Sequence, residues 1–252
     1  MKNNFLNIVL IALSAQMFTL SNGYPFLNSL ILSNTSSVNS AVLFDLIGHE
    51  PNQIFKLLYR ATRDGFNASK FHLLCDGRNQ TLTLIKTTNF TSSLNSIYIF
   101  GGYANIAWSS LVGCSGWSYC LSLYDPDAFI FSLNSPQNLP PFKANSNGQN
   151  SLVMMNKQGL LGPSFGRDIQ IVDQSNETDC TTSFGSTYSF NTQYTQTVLC
   201  GSTRFKTSEI EVFQSSLDIS SLTTPKTTTK ATTSTARTSV SIFENGVFIL
   251  IE

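Results

Sequence analysis

The sequence predicts a mainly β (α+β) fold, an antiparallel two-sheet β-sandwich with short peripheral helices. Short runs rich in β-branched and aromatic residues recur along the chain, bounded by Gly, Pro, Asn, Asp or Ser, and only brief segments carry helical spacing. The chain is also apolar and weakly charged: 41% hydrophobic, with 15 Lys+Arg against 15 Asp+Glu in 252 residues. That composition suits one sizeable core with flanking segments, or at most two small domains. The zero formal net charge supplies no cationic footprint for phosphates, so nucleic acid is set aside as a partner.

Residues 1–23 read as a signal peptide. Lys2 precedes an apolar run from Phe5 to Phe18, and Ser21-Asn22-Gly23 offers small residues for cleavage after Gly23, with Ala15 as the second choice. The run falls short of the roughly 20 residues of a spanning helix. An uncleaved anchor or an apolar segment of the fold is the alternative. Residues 24–54 mix apolar patches with Asn and Ser and form a lead-in.

The domain is expected over residues 55–214. Phe55 to Ala61 is short and apolar, fitting strand or helix by periodicity. Asn67 and Ser69 are helix-capping types, Ala68 to Cys75 places Phe71, Leu74 and Cys75 on one face, and Gly77 supplies a stop, which predicts a short helix. Thr81 to Thr87 alternates Leu82, Leu84 and Lys86 against Thr81, Thr83 and Ile85, and Ser96 to Phe100 repeats the pattern up to Gly101-Gly102, where a bend or a close backbone approach is expected. Asp125-Pro126-Asp127 is a turn before the apolar strand Ala128 to Leu133, and Pro136 to Pro141 breaks the chain again. Asp168 to Asp173, Tyr194 to Leu199 and Phe205 to Phe213 are three further strand candidates. Residues 215–252 are read as a Thr-rich disordered stalk followed by a short apolar tail. The run Thr223 to Ser239 holds too few apolar side chains to offset ordering entropy, and in a secreted chain it suits O-glycosylation. Val240 to Glu252 is too short to cross a bilayer and makes a poor lipid-anchor signal, so no clear membrane span is expected; a stalk ending this way is also what a truncated chain would show.

Several ordered motifs stand out: Leu58-Tyr59-Arg60-Ala61-Thr62-Arg63-Asp64-Gly65-Phe66, Phe71-His72, Cys75-Asp76-Gly77, Phe100-Gly101-Gly102-Tyr103 and Ala107-Trp108-Ser109-Ser110. Together they resemble the core signature of the TLDc family, over roughly Phe55 to Gln214. The resemblance favours a strand at Phe55 to Ala61 and implies two packed sheets with small helices. It also implies a partner-binding, protective role linked to oxidative stress and, for some intracellular members, binding to the vacuolar proton pump. Two departures are visible: Gly166-Arg167-Asp168 is shorter than the family segment that carries an extra glycine and histidine, and Leu152-Val153-Met154-Met155 lacks the usual aromatic-cysteine pattern.

Candidate chemistry is sparse. Gly162-Pro163-Ser164-Phe165-Gly166 has the form of a nucleophile elbow, but strand-like Asp168 to Asp173 follows where an elbow needs a helix, and the only histidines, His49 and His72, precede Ser164. The same residues resemble a glycine-rich turn of the family. Glu209 and Glu211 lie two apart on one strand face; paired carboxylates suit acid/base work or a hard cation, while a solvated sheet face is the plainer reading. His72 is expected to hydrogen-bond within the fold, and Arg60, Arg63 and Asp64 to form structural pairs. Cys75 is the weak redox candidate, set against a buried thiol among apolar residues. Trp108 is read as core, and Trp117, in the Cys114 to Cys120 loop, is the better candidate of the two for an exposed contact. Cys114 and Cys120 bracket a loop that a local disulfide would close, and Cys180 with Cys200 is a looser second pair; five cysteines leave one thiol over. Neither a zinc ligand set nor a cofactor motif is recognised. Five sequons, at Asn34, Asn67, Asn79, Asn89 and Asn176, become candidate glycan sites behind a signal peptide.

The expected function is a secreted or cell-surface, non-enzymatic interaction module with an unknown protein or glycan partner. The rivals are a peroxide-responsive thiol protein using Cys75 and, without a working leader, a cytosolic regulator of the vacuolar proton pump.

Overall fold

The structure, a computed structural model, describes residues 28–33, 40–48, 50, 53–88, 97–110, 122–148, 152–153, 161–189, 194–217, 240–244 and 247–251. The strands are β1 (Gln53–Arg60), β2 (Thr81–Thr87), β3 (Ile99–Ala104), β4 (Ser122–Leu123), β5 (Phe129–Ser132), β6 (Phe142–Ser146), β7 (Leu152–Val153), β8 (Cys180–Thr181), β9 (Tyr188–Ser189), β10 (Arg204–Phe205), β11 (Thr207–Leu217), β12 (Val240–Glu244) and β13 (Val247–Ile251). Four short helices, Leu30–Ser33, Ser40–Ile47, Ala61–Asp64 and Ala68–Cys75, complete the described elements. The fold is mostly β, as expected.

Seven strands form one antiparallel sheet in the order β1-β11-β2-β3-β5-β6-β9. The last long strand, β11, sits between β1 and β2, so the beginning and the end of the domain pair with each other. Both faces of this sheet are covered. One carries Tyr59, Ile85, Phe100, Ile130, Phe142, Ile210 and Val212 against the helix Ala68–Cys75 and the segment around Phe165, Ile169 and Phe205. The other carries Phe55, Leu82, Leu84, Ile99, Phe131 and Phe213 against Ile31, Leu32, Leu43 and Phe44. Strand alternation assigns neighbours in β2 and β11 to opposite clusters. Because neither face of β2 meets water along most of its length, Thr81 and Thr83 are as buried as Leu82 and Leu84.

Several elements differ from expectation. Residues 30–47, read as part of a lead-in, supply four core side chains, each worth about 2 kcal/mol on burial. The helix Ala68–Cys75 forms as predicted, but Asn67 makes no side-chain cap; Asp173 Oδ1 accepts the Ala68 amide instead, at 2.8 Å. The strand expected from Ser96 starts at Ile99 and runs straight through Gly101 and Gly102. Close approach, not bending, explains both glycines: a Cβ on Gly101 would drive into the Thr83 carbonyl and come within 2.9 Å of Phe131, and one on Gly102 would lie 2.7 Å from the Phe165 ring. Asp168 to Asp173 is no strand but a looped segment held by isolated bridges, Leu161 to Val172, Phe165 to Ile169 and Gln170 to Thr181. Tyr194 to Leu199 is likewise a turn: the Val198 amide bonds the Thr195 carbonyl, and the Thr195 and Thr197 hydroxyls bond each other. Such local bonds compete with a sheet ladder. Among the described residues of the domain, the pairings outside the large sheet are β8 with β10, β4 with β7 and isolated bridges such as these.

Residues Ile219–Glu252 form a separate unit. Its described part is a two-stranded antiparallel hairpin, β12 with β13, where an apolar tail was expected. The Thr-rich run Thr223 to Ser239 lies outside the described residues. No helix among the described residues is long and apolar enough to cross a membrane.

Candidate functional site

The acidic pair on β11 is the most organised polar feature. Glu209 and Glu211 share a sheet face, yet they are 5% and 0% exposed, which corrects the solvated reading. Glu211 accepts bonds from Ser29 Oγ at 2.6 Å, the Leu30 amide at 2.9 Å and Arg60 Nε at 2.8 Å, and Arg60 Nη2 completes the ion pair at 2.8 Å. Arg60 also donates to the Asn28 carbonyl. Glu209 accepts from the Thr62 amide at 3.1 Å, the Thr62 hydroxyl and the Ile210 amide at 3.0 Å. One carboxylate thus holds the N-terminal segment to β1, and its neighbour holds the corner after β1. These donors occupy most of the lone pairs of the two carboxylates, and the described residues contain no His/Cys/Asp/Glu cluster suited to a metal. Arg63 and Asp64 form a bidentate pair with both contacts at 2.8 Å. The Arg63 hydrogen bond holds the Asp64 carboxyl below the usual range despite some burial.

On the other face, His72 packs edge-on to Phe71. Its Nε2 donates to the Leu161 carbonyl at 3.0 Å, and its Nδ1 meets Asp76 Oδ1 at 2.8 Å. Asp76 Oδ2 accepts the Ser110 amide at 2.7 Å. The internal hydrogen-bonding role expected of His72 is therefore present. One turn along the helix, Cys75 is fully buried, and burial followed by the Asp76 charge pushes its thiol up. A thiol held neutral is a poor nucleophile and a poor target for peroxide. Trp108 is buried as expected, with Nε1 donating to Thr81 Oγ1 at 2.7 Å.

The glycine-rich segment is a turn. Ser164 is 0% exposed, donates to the Gly162 carbonyl at 3.2 Å and accepts the Ile171 amide at 3.4 Å, so its hydroxyl is not an elbow nucleophile. Gly166 adopts φ 58°, and a Cβ there would sit 2.8 Å from Thr187 Cβ. Next to it lies Asp168, a residue the sequence did not single out. It is fully buried and accepts from the Gly185, Ser186 and Thr187 amides at 2.7, 3.1 and 2.7 Å and from Thr187 Oγ1 at 2.5 Å. Burial raises its carboxyl, while all four donors favour the ionised form. An aspartate directly after a glycine turn was the available signal. Asp125, which accepts the Asn105, Ile106 and Asp127 amides, was hidden in the same way inside a predicted turn.

Cys180 and Cys200 are both free and buried, so the looser disulfide is not formed in this structure. Cys180 pairs through its backbone with Phe205, and the Cys200 thiol donates to the Ser202 carbonyl. Each thiol keeps its own setting, and burial pushes them up to about 12 and about 11. Cys114, Cys120 and Trp117 lie outside the described residues, as do the leader and the sequons at Asn34 and Asn89. Asn67, Asn79 and Asn176 are all exposed.

A family model for the TLDc domain matches residues 30–216, close to the span from the Glu211-bound segment to the end of β11. No curated protein shows significant similarity to the chain. The matched span covers well over half of the sequence and contains both layers of the core, and the chain belongs to the TLDc domain family.

Proposed function

We propose that the chain is a secreted or cell-surface protein whose TLDc domain, a domain linked to oxidation resistance, acts as a non-enzymatic interaction module. One observation carries this reading. Among the described residues, the candidate reactive side chains His72, Ser164, Asp168, Glu209, Glu211 and Cys75 are buried, and the five polar ones are spent on hydrogen bonds within the protein. Chemistry needs a group that reaches substrate in a usable protonation state, and these groups face protein. The signal-like leader, the exposed sequon asparagines and the Thr-rich stretch support an extracellular setting, where the protein or glycan partner differs from a cytosolic pump.

The test is to express the full chain in animal cells and assay the medium for a glycosidase-sensitive product, then to measure peroxide consumption by the purified material. Secretion with glycans and no consumption is the expected result. Retention in the cytosol without glycans would restore the pump-regulator reading. Peroxide consumption lost in C75S would establish the thiol enzyme instead.

A further inference from the structure

The three described sequons differ in what a folded chain presents. In N-glycosylation the asparagine Nδ2 attacks C1 of the first sugar of a lipid-linked oligosaccharide. The C1–N bond forms, the C1–O bond to the lipid pyrophosphate breaks, the pyrophosphate leaves with the electron pair, and the amide proton passes to the transferase. The enzyme must hold the acceptor backbone and the hydroxyl two residues on, so all three sequon residues have to be reachable.

At Asn67-Ala68-Ser69 the middle residue is 2% exposed, in the first turn of a helix. Its amide is bonded to Asp173, and the Asn67 carbonyl accepts the Lys70 and Phe71 amides. At Asn79-Gln80-Thr81 the essential hydroxyl is 0% exposed and bonded to Trp108 Nε1. The Gln80 backbone is bonded on both sides, its amide to Asn105 and its carbonyl to Ser215. Asn176-Glu177-Thr178 is different: all three residues are exposed. They ride on a turn in which the Glu177 and Thr178 amides bond the Gln174 carbonyl at 2.9 and 2.8 Å. The base of the turn is fixed, since buried Ser175 bonds Thr207 through both hydroxyl and backbone.

The geometry points to Asn176 as the one sequon among the described residues that the folded domain still offers for glycan transfer, with Asn67 and Asn79 able to accept only before their helix and strand form. In the secretory setting proposed above, Asn176 is then occupied irrespective of folding speed, while the other two are filled in competition with folding. The biological use of the site rests on that setting; the acceptor geometry does not.

The experiment uses the full chain made without glycans in bacteria, a purified single-subunit eukaryotic oligosaccharyltransferase and its lipid-linked donor, with sites mapped by peptide mass spectrometry. Synthetic peptides carrying each sequon serve as unfolded acceptors. The expected result is transfer to all the peptides. In the folded chain, Asn176 is modified at least about tenfold faster than Asn67 or Asn79, because both of those require a core element to open. N176Q abolishes the fast phase. Comparable transfer to Asn67 or Asn79 in the folded chain, or no transfer to Asn176 in chain or peptide, overturns the inference. Failure of the extracellular reading would appear elsewhere, as retention of the unglycosylated chain in the cytosol of expressing cells.

Discussion

Replacing Glu211 by glutamine removes one charge from the centre of the clasp between β11, Arg60 and the N-terminal segment. The wild-type carboxylate is fully buried and takes four contacts, from Ser29 Oγ, the Leu30 amide and two nitrogens of Arg60, whose side chain is 14% exposed. The amide keeps one acceptor oxygen and turns an NH2 toward a ring of donors, leaving the guanidinium uncompensated. Breaking a buried ion pair from one side costs about 3–5 kcal/mol. For a domain of this size about 1 kcal/mol corresponds to roughly 2–4 °C in Tm, so E211Q should melt about 6–20 °C below wild type. Urea unfolding of the full chain followed by fluorescence measures the loss, and hydrogen exchange at the Leu30 to Ser33 amides shows where it acts. Replacing both partners, as R60M/E211M, should recover much of it, because no charge is left stranded. A loss below about 1 kcal/mol in E211Q would refute the reasoning, because an exposed pair contributes no more than that.

Three further perturbations follow from the same contacts. G166A combines a left-handed backbone with a Cβ 2.8 Å from Thr187; strain and overpacking together should cost about 2–5 kcal/mol, read as a drop in Tm. W108F strands the buried Thr81 hydroxyl and should cost about 1–3 kcal/mol in urea unfolding, with little change expected if that bond is unimportant. In a C114S/C120S background, alkylation of the folded chain near pH 8 should be slow and become fast on unfolding. The folded Cys200 and Cys180 thiols titrate near 11 and 12 against an ordinary 9.0, so their contribution to stability is complete below pH 9 and is lost as pH rises through those values, at up to about 1.4 kcal/mol per pH unit per thiol. Stability that is flat from pH 9 to 11 would contradict this.

Most of the sheet was legible because its strands carry dense apolar and β-branched runs, and periodicity reports such runs directly. The errors share a cause. Asp168 to Asp173 alternates like a strand, but its ordering comes from a buried aspartate gathering amides from seventeen to nineteen residues away, a long-range polar effect invisible to local pattern. Glu209 and Glu211 looked like a wet face because charge on alternate strand positions normally means water. Glu211 is covered by Ser29 and Leu30, 182 and 181 residues distant, and Glu209 is bonded by Thr62, 147 residues distant. Ile31, Leu32, Leu43 and Phe44 were missed as core because they flank Asn- and Ser-rich stretches, and only the assembled sheet shows the face they cover.

The position of β11 connects these observations. A strand from the end of the domain fills the gap between β1 and β2, and its two carboxylates bind Ser29, Leu30, Arg60 and Thr62. Until β11 docks, β1 lacks its sheet partner, the face made by Leu82, Leu84 and Phe131 loses Phe213, and the N-terminal segment has no anchor. A deletion entering β11 should therefore disturb more than its own residues, and so should one entering residues 28–47. The ordinary chemical groups of this domain serve its closure. On the interaction reading proposed above, a partner is recognised by surface positions around that closed core, and fragments that stop short of either end are expected to lose the fold before they lose a contact.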